Sequence, residues 1–355
     1  MQTKTLKKYI TKKFWSNKTV LITGINGFIG GNLAKKLINL NANVIGISNN
    51  NLKNKFLFYE GISKKFKFHK IDIKDYKKIE NILKLYKIDV CFHLAAQVDV
   101  NIAKTQPYLT LESNIKGTYN ILENFRKHKY IKSIILASSD KAYGDYKISD
   151  LPYKEHYDLR PIYPYDVSKA AGDMIAKSYA SDLFKLPVII TRFANIYGPG
   201  QLNFTALIPD CILANNNYRD FIPRGDGKNK RDFLYVDDVC DLYLCLSYNL
   251  YKDKDLRGEV FNAGTSHGYT VNEIVKKICH KHNNKDLYKI ISKNFKNKSL
   301  SGEIQHQFMT YKKLFKYFKW KPETNLDDGL DQTIDWYKKF LKKYKYETFL
   351  GSTKK

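Results

Sequence analysis

Three short constellations in the chain combine residue types that enzyme chemistry uses. The first is TVLITGINGFIGGNL, where Gly24, Gly27 and Gly30 follow an apolar β-branched run and precede a helical pattern. Glycine lets the backbone turn sharply and approach a pyrophosphate. The helix start that follows offers free N–H groups and a positive dipole end. The spacing G-x-x-G-x-x-G is one residue off the common dinucleotide fingerprint, but the strand before it and the helix after it supply the required context. The second constellation is Ser138-Ser139-Asp140-Lys141-Ala142-Tyr143-Gly144, directly after the apolar run Ser133–Ala137. The third is Tyr165-Asp166-Val167-Ser168-Lys169. Residues four apart share one helix face. An ammonium beside a phenol stabilises the phenolate and lowers a pKa that starts near ~10. Such a base takes a hydroxyl proton while a nicotinamide takes the hydride. Tyr and Lys are both abundant here, so this pair carries weight only together with the nucleotide loop and a Ser at a strand end.

The elements that must position these groups follow from periodicity. Strands are expected at Thr19–Thr23, Ala42–Ile47, Lys67–Ile71, Val90–Leu94, Ser133–Ala137 and Pro187–Thr191. Helical patterns lie between them at Asn32–Leu40, Tyr76–Leu85, Leu109–Arg126 and Ser168–Leu183. Alternation of this kind predicts an α/β fold with a doubly wound parallel sheet of the Rossmann type. The second half predicts helices at Ala206–Asn215, Val236–Asn249, Thr270–His282, Met309–Phe318 and Leu326–Tyr344, with a strand at Glu259–Ala263. It reads as a smaller C-terminal substrate-binding lobe over the carboxyl edge of the sheet, where ligands of open α/β sheets bind. The expected division is a leader (1–16), a dinucleotide domain (17–195, with 231–263 returning), a lobe (196–230 and 264–345) and a frayed tail (346–355).

About 20 residues past the glycines an acidic side chain usually holds the adenosine ribose. Here Ser48, Asn49, Asn50 and Asn51 stand instead. No Arg is present for a 2′-phosphate, and Lys53 and Lys55 are only loosely placed, so the expected cofactor is NAD. Asp72 and Ile73, after the third strand, are candidates for the adenine pocket, although Asp72 equally suits a helix cap.

The net charge is +26 over 355 residues, yet only seven of the 61 basic residues are Arg and the Lys are dispersed along the chain. Nucleic-acid surfaces favour the planar Arg fork, so no nucleic-acid partner is expected. No apolar run approaches the ~20 residues of a membrane span, and the Lys-rich start lacks the apolar core of a signal peptide. The five Cys form no C-x-x-C pair, which reads as reduced, cytoplasmic usage with no metal site.

Taken together, these motifs resemble the extended short-chain dehydrogenase/reductases, the NAD-dependent nucleotide-sugar epimerases and dehydratases. The residues that carry the likeness are Gly24/Gly27/Gly30, His93-Leu94-Ala95-Ala96, Asn114, Ser139, Tyr165/Lys169, Arg192 to Gly200 (RFANIYGPG) and Arg231-Asp232-Phe233. The likeness runs from the first strand to Trp336. It implies cofactor contacts at Gly24, Asn26, Gly27, Phe28, Ile29, Gly30, Asn49, Asp72, Ile73, Leu94, Ala95, Ala96, Asn114, Tyr165 and Lys169. Substrate contacts are implied at Gln97, Ser139, Asn195, Arg231 and Gln305, with Glu303 and Gln307 on the same polar segment. A homodimer through Leu109–Arg126 and Ser168–Leu183 is also implied. The residues after Ser139 sort the chemistry within the family. Asp140-Lys141, with Phe14-Trp15 upstream, is similar to CDP-glucose 4,6-dehydratases. That implies a 4,6-dehydratase making deoxysugars for surface polysaccharides, with Tyr165, Ser139 and Lys169 oxidising C4, Asp140 as acid and Lys141 as base. The alternatives are a 4-epimerase or reductase on the same scaffold and, more distantly, a non-catalytic dinucleotide-binding protein.

Overall fold

The structure is a computed structural model that describes residues 9–295 and 303–344. The expected frayed tail, 346–355, lies outside the described residues. The expected strands form as β1 (Thr19–Thr23), β2 (Asn43–Ser48), β3 (Lys67–Lys70), β4 (Val90–His93), β5 (Ser133–Ala137) and β6 (Val188–Phe193). Two short strands, β7 (Asn195–Tyr197) and β9 (Phe233–Tyr235), pair with each other. Between and beyond them come β8 (Lys230–Arg231), β10 (Val260–Ala263), β11 (Tyr269–Thr270) and β12 (His306–Gln307). The seven-stranded sheet runs β10-β6-β5-β4-β1-β2-β3, with every pairing parallel. Its central strands are buried on both faces, as their Val/Ile/Leu runs demand. The chain winds outward from β1 in both directions, so the switch point lies at the carboxyl ends of β1 and β4.

Helices cover both faces. On one side α1 (Phe28–Asn39) packs with a later helix, α6 (Val236–Lys252), around Leu33, Leu37, Val239 and Leu246. The short helix Lys12–Trp15 closes the end of this layer. Trp15 is buried against Phe92, and its indole N–H donates to the Tyr9 carbonyl at 2.9 Å. The other face carries α2 (Tyr76–Leu85), α3 (Gly117–His128) and α4 (Pro164–Ala180) over Ile121, Phe125, Ala176 and Ile190. A separate core unites α5 (Leu207–Asn215), α7 (Val271–Lys281), α8 (Lys285–Asn294) and α10 (Leu326–Lys343). The remaining long element, α9 (Lys312–Phe318), packs back on the first layer through Leu314 and Phe318.

Three helix boundaries differ from the sequence reading, each for a physical reason. α1 starts at Phe28, straight out of the glycine loop. α4 begins at Pro164, not Ser168, because Pro fits the first helical turn and places Tyr165 inside it. The expected helix Leu109–Arg126 is broken into Pro107–Leu111, a π-turn at Glu112–Lys116, and α3. The π-turn contains Asn114, and such insertions gather at functional sites. All five cysteines are free and buried. No helix among the described residues is long and apolar enough to cross a membrane.

Candidate active site

The glycine loop links the end of β1 to α1. Gly24 has φ +72°, and a Cβ there would lie 2.8 Å from the Ala95 Cα at the end of β4. A Cβ on Gly30 would lie 2.3 Å from the Gly24 carbonyl. Both positions therefore need glycine, and the loop presents bare backbone. The α1 N-terminus has no side-chain cap and no acid in its first turn, which leaves its amides and dipole for an anion. The Asn26 amide donates to the Asn50 and Asn51 carbonyls at 2.7 and 3.1 Å, while its Oδ1 is buried without a partner. This cradle and its orphaned acceptor fit a dinucleotide. Asn49 is exposed beside it. Asp72 caps its own turn through the Lys74 amide at 2.9 Å, and Ile73 packs against Gly117 of α3.

Beneath the loop runs a hydrogen-bond chain in which sequence reasoning assigned roles to Asn114 and Gln97 but none to Thr23, His93 and Thr118. The Leu94 and Ala95 amides donate to Thr23 Oγ1 at 3.1 and 3.0 Å. The Thr23 hydroxyl thus donates its proton to His93 Nδ1 at 2.8 Å, which leaves the other ring nitrogen as donor to Thr118 Oγ1 at 3.3 Å. Thr118 passes its own proton to the Asn114 carbonyl at 2.6 Å. Burial, with Lys169 nearby, pushes His93 down to about 3, so the ring is neutral. Asn114 continues the chain. Its Oδ1 accepts from the Gln97 amide at 2.7 Å, and its Nδ2 donates to the Gln97 carbonyl at 2.9 Å and Ser168 Oγ at 2.8 Å. Gln97 is further held by Thr110 at 3.0 Å. A buried His closing an apolar strand was the available signal for this network.

A cavity at this edge is lined by His93, Asn114, Thr118, Ala137 and Lys169, with Leu94, Ala95 and Ala96 at the same strand end. The Lys169 ammonium donates to the Ala137 carbonyl at 2.9 Å, and burial lowers it to about 8. The Tyr165 phenol is buried. The sequence reading expected Lys169 to lower its pKa. In the structure, burial first and Asp140 second push the phenol up, and only hydrogen bonding with Ser139 pulls the other way. Lys169 is not among the groups that act on the phenol, and its ammonium is hydrogen-bonded to the Ala137 carbonyl.

Ser139 opens a single 3-10 turn after β5 and donates to Asp140 Oδ1 at 2.9 Å. Asp140 is 4% exposed, and burial raises its carboxyl despite the attraction of Lys141. Its Oδ2 has no partner. The Lys141 ammonium reaches Gln307 Oε1 at 3.2 Å. Thus Gln307, not the exposed Gln305, meets the acid–base residues from the lobe. Arg231 donates to the Ile304 and Gln305 carbonyls at 2.7 and 2.9 Å and approaches Glu303 at 3.6 Å. Next to it Asp232 is fully buried, accepting from Thr265 and Met309, and locks β8 to the following loops. Asn195 is exposed at the mouth, its amide N–H on the Asp232 carbonyl at 3.1 Å. Arg192, from the RFANIYGPG run, is structural. It is buried and bidentate on Asp173 at 2.7 and 3.0 Å.

Comparison with known proteins follows this geometry. Residues 21–333 match the family described as GDP-mannose 4,6 dehydratase. A dTDP-D-glucose 4,6-dehydratase of Dictyostelium discoideum is 35% identical over 274 residues, covering 73% of this chain and 61% of that protein. The dTDP-glucose 4,6-dehydratase of Bacillus anthracis, solved in complex with NAD, superposes with a TM-score of 0.77 at 27% identity, covering 92% of this chain and 99% of that one. The UDP-glucose 4-epimerase of Thermotoga maritima, solved with UDP-glucose, gives 0.76 at 28% identity, covering 91% and 99%. The chain therefore belongs to the GDP-mannose 4,6-dehydratase family of extended short-chain dehydrogenase/reductases, the NAD-dependent nucleotide-sugar dehydratases and epimerases.

Proposed function

We propose that this enzyme is a nucleotide-sugar 4,6-dehydratase that converts an NDP-hexose to an NDP-4-keto-6-deoxyhexose, with CDP-glucose the first substrate to test. The observation that carries the reading is the Asp140-Lys141 pair beyond Ser139, one partner a raised, buried carboxyl and the other an ammonium held by Gln307. An epimerase needs no such second acid–base pair. NAD held over the glycine loop and the start of α1 would supply a hydride acceptor at C4 and the same hydride for C6. The choice of NAD over NADP rests on the segment after β2, where Ser48 to Asn51 offer no cation for a 2′-phosphate.

Tyr165 takes the proton of the sugar 4-OH, with Ser139 hydrogen-bonding the same oxygen. Lys169 supplies positive charge one helical turn away. The resulting 4-ketone acidifies C5–H. Lys141, as the free amine, removes that proton and gives it back to C5 when the hydride returns at C6, while Asp140, whose carboxyl burial raises, gives a proton to the departing 6-OH, which leaves as water. On this reading Gln97 lies near the sugar, Asn195 contacts the sugar or diphosphate, Arg231 meets the diphosphate or nucleotide ribose, and Gln305 closes the nucleotide pocket.

The 4-epimerase reading stands second. Its support is the equal likeness to the Thermotoga epimerase. Mass spectrometry after incubation with CDP-, dTDP-, UDP- and GDP-hexoses separates the two: dehydration removes one water, whereas epimerisation conserves mass. Extracting the bound nucleotide tests NAD; a predominance of NADP overturns that choice. The five buried free thiols favour the cytoplasm as its setting.

The proposed assembly is a homodimer through the exposed faces around α3 and α4. Tyr108, Leu109, Tyr119 and Met174 place large apolar side chains in solvent there, a pattern that marks an interaction surface. Light scattering at micromolar concentration should give twice the chain mass. A monomer overturns it.

A further inference from the structure

Asp166 follows Tyr165 in the first turn of α4, and the steps above do not use it. Its side chain is 2% exposed. Among the described residues no donor reaches its carboxylate and no ion pair includes it. Charges face it from three other segments: Lys141 and Asp140 from the turn after β5, Arg231 from β8, and Glu303 from the segment before β12. The two cations are committed elsewhere, Lys141 to Gln307 and Arg231 to the carbonyls of Ile304 and Gln305. An acid serving the helix end alone would accept from first-turn amides, and Asp166 accepts from none of them.

A carboxylate can only accept, and burying one without a donor is costly. A donor carried by the ligand would satisfy it. The ligand of this site is a hydroxylated ring, and Asp166 adjoins the residues assigned to C4, C5 and C6. We propose that Asp166 is a sugar-specificity residue whose carboxylate accepts a hydrogen bond from a hydroxyl of the bound hexose. The inference rests on the nucleotide-sugar reading but is indifferent to whether the sugar is then dehydrated or epimerised. It also names the class of sugar selected. A neutral hydroxyl satisfies Asp166, whereas a carboxylate there would add a further negative charge beside Asp166 and Glu303. Burial, opposed by Lys141, sets the Asp166 carboxyl at about 6. As pH falls through that value the anionic acceptor is lost, and with it the charge-assisted part of the bond.

The test is calorimetric titration of the NAD-loaded protein with UDP-, dTDP-, CDP-glucose and GDP-mannose and with each free nucleoside diphosphate. Hydrogen bonds to charged groups correspond to about ten- to hundredfold in affinity. Asp166→Asn should therefore weaken the tightest NDP-hexose by about that factor and leave the free diphosphate unchanged. Asp166→Glu should recover part of the loss. Wild-type hexose affinity should fall below pH 6, and the Asn variant should be flat there. Unchanged hexose affinity in Asp166→Asn overturns the proposal. So does equal weakening of hexose and free diphosphate, which would mark a purely structural role. Wild-type protein that binds no NDP-hexose more tightly than its diphosphate overturns the nucleotide-sugar reading itself.

Discussion

The two halves of the cleft are built differently. On the cofactor side, consecutive pieces of chain do the work: β1, the glycine loop and α1 are continuous, and the Thr23–His93–Thr118–Asn114 chain fixes the neighbouring strand end and π-turn. The side chains of that network are paired, while Asn26 Oδ1 and the uncapped first amides of α1 stay open. On the substrate side, Asp140 Oδ2 and Gln307 Nε2 are buried without partners, and the Asp166 carboxylate lies in the field of Lys141, Asp140, Arg231 and Glu303. The Lys141–Gln307 bond joins residues 166 positions apart. An unsatisfied buried polar group costs roughly 1–3 kcal/mol. The cofactor half is thus assembled before any ligand arrives. The substrate half keeps unpaired groups that, on the proposed reading, a bound sugar would partner.

The largest expected effect tests what the halves share. In the proposed mechanism Tyr165 serves both, so Tyr165→Phe should reduce turnover by roughly 10²–10⁴. It should abolish both nicotinamide reduction on substrate addition and exchange of the C5 proton with deuterated solvent. Next, Lys141→Met should separate the halves. Nicotinamide absorbance should still appear with substrate, while C5 exchange falls by about 10² or more. Asp140→Asn should slow water loss and spare exchange. Near-normal exchange in Lys141→Met would place the base elsewhere and return weight to the epimerase reading. A smaller, one-sided effect is expected from Gly30→Ala. The added methyl meets the Gly24 carbonyl, so bound NAD should be lost on gel filtration while free nucleoside diphosphate still binds. Full NAD retention would show that the loop is less rigid than its contacts imply.

This contrast also explains what the sequence made legible. Strand, glycine loop and helix are local, so their order and the seven-stranded sheet could be read from runs of Val, Ile and Leu. Tyr165, Lys169 and Ser139 were legible because spacing and strand ends are local too. The π-turn was not, since Leu109–Arg126 has helical periodicity throughout and only tertiary packing inserts the extra residue. The raised phenol of Tyr165 was also out of reach, because it depends on burial and on the nearby Asp140 carboxyl. Gln307 was indistinguishable from Gln305 in a polar stretch. Only the parallel pairing of β12 with β8 buries one and exposes the other.

Gln307 therefore gives the smallest and most specific test. Its Oε1 accepts from Lys141, and its Nε2 is buried with no partner. Gln307→Leu keeps similar bulk, removes the orphaned amide and frees Lys141. Losing a hydrogen bond to a charged group costs roughly 1.5–3 kcal/mol, while deleting the unsatisfied amide returns roughly 1–3 kcal/mol. The two nearly cancel in stability, so the melting temperature should move little. Turnover should not be spared in the same way. Lys141 would lose the contact that aims it, and C5 exchange should slow several-fold with nicotinamide reduction unchanged. A drop in melting temperature with exchange intact would make Gln307 a packing residue. The lobe would then contribute shape to the acid–base centre, but no positioning.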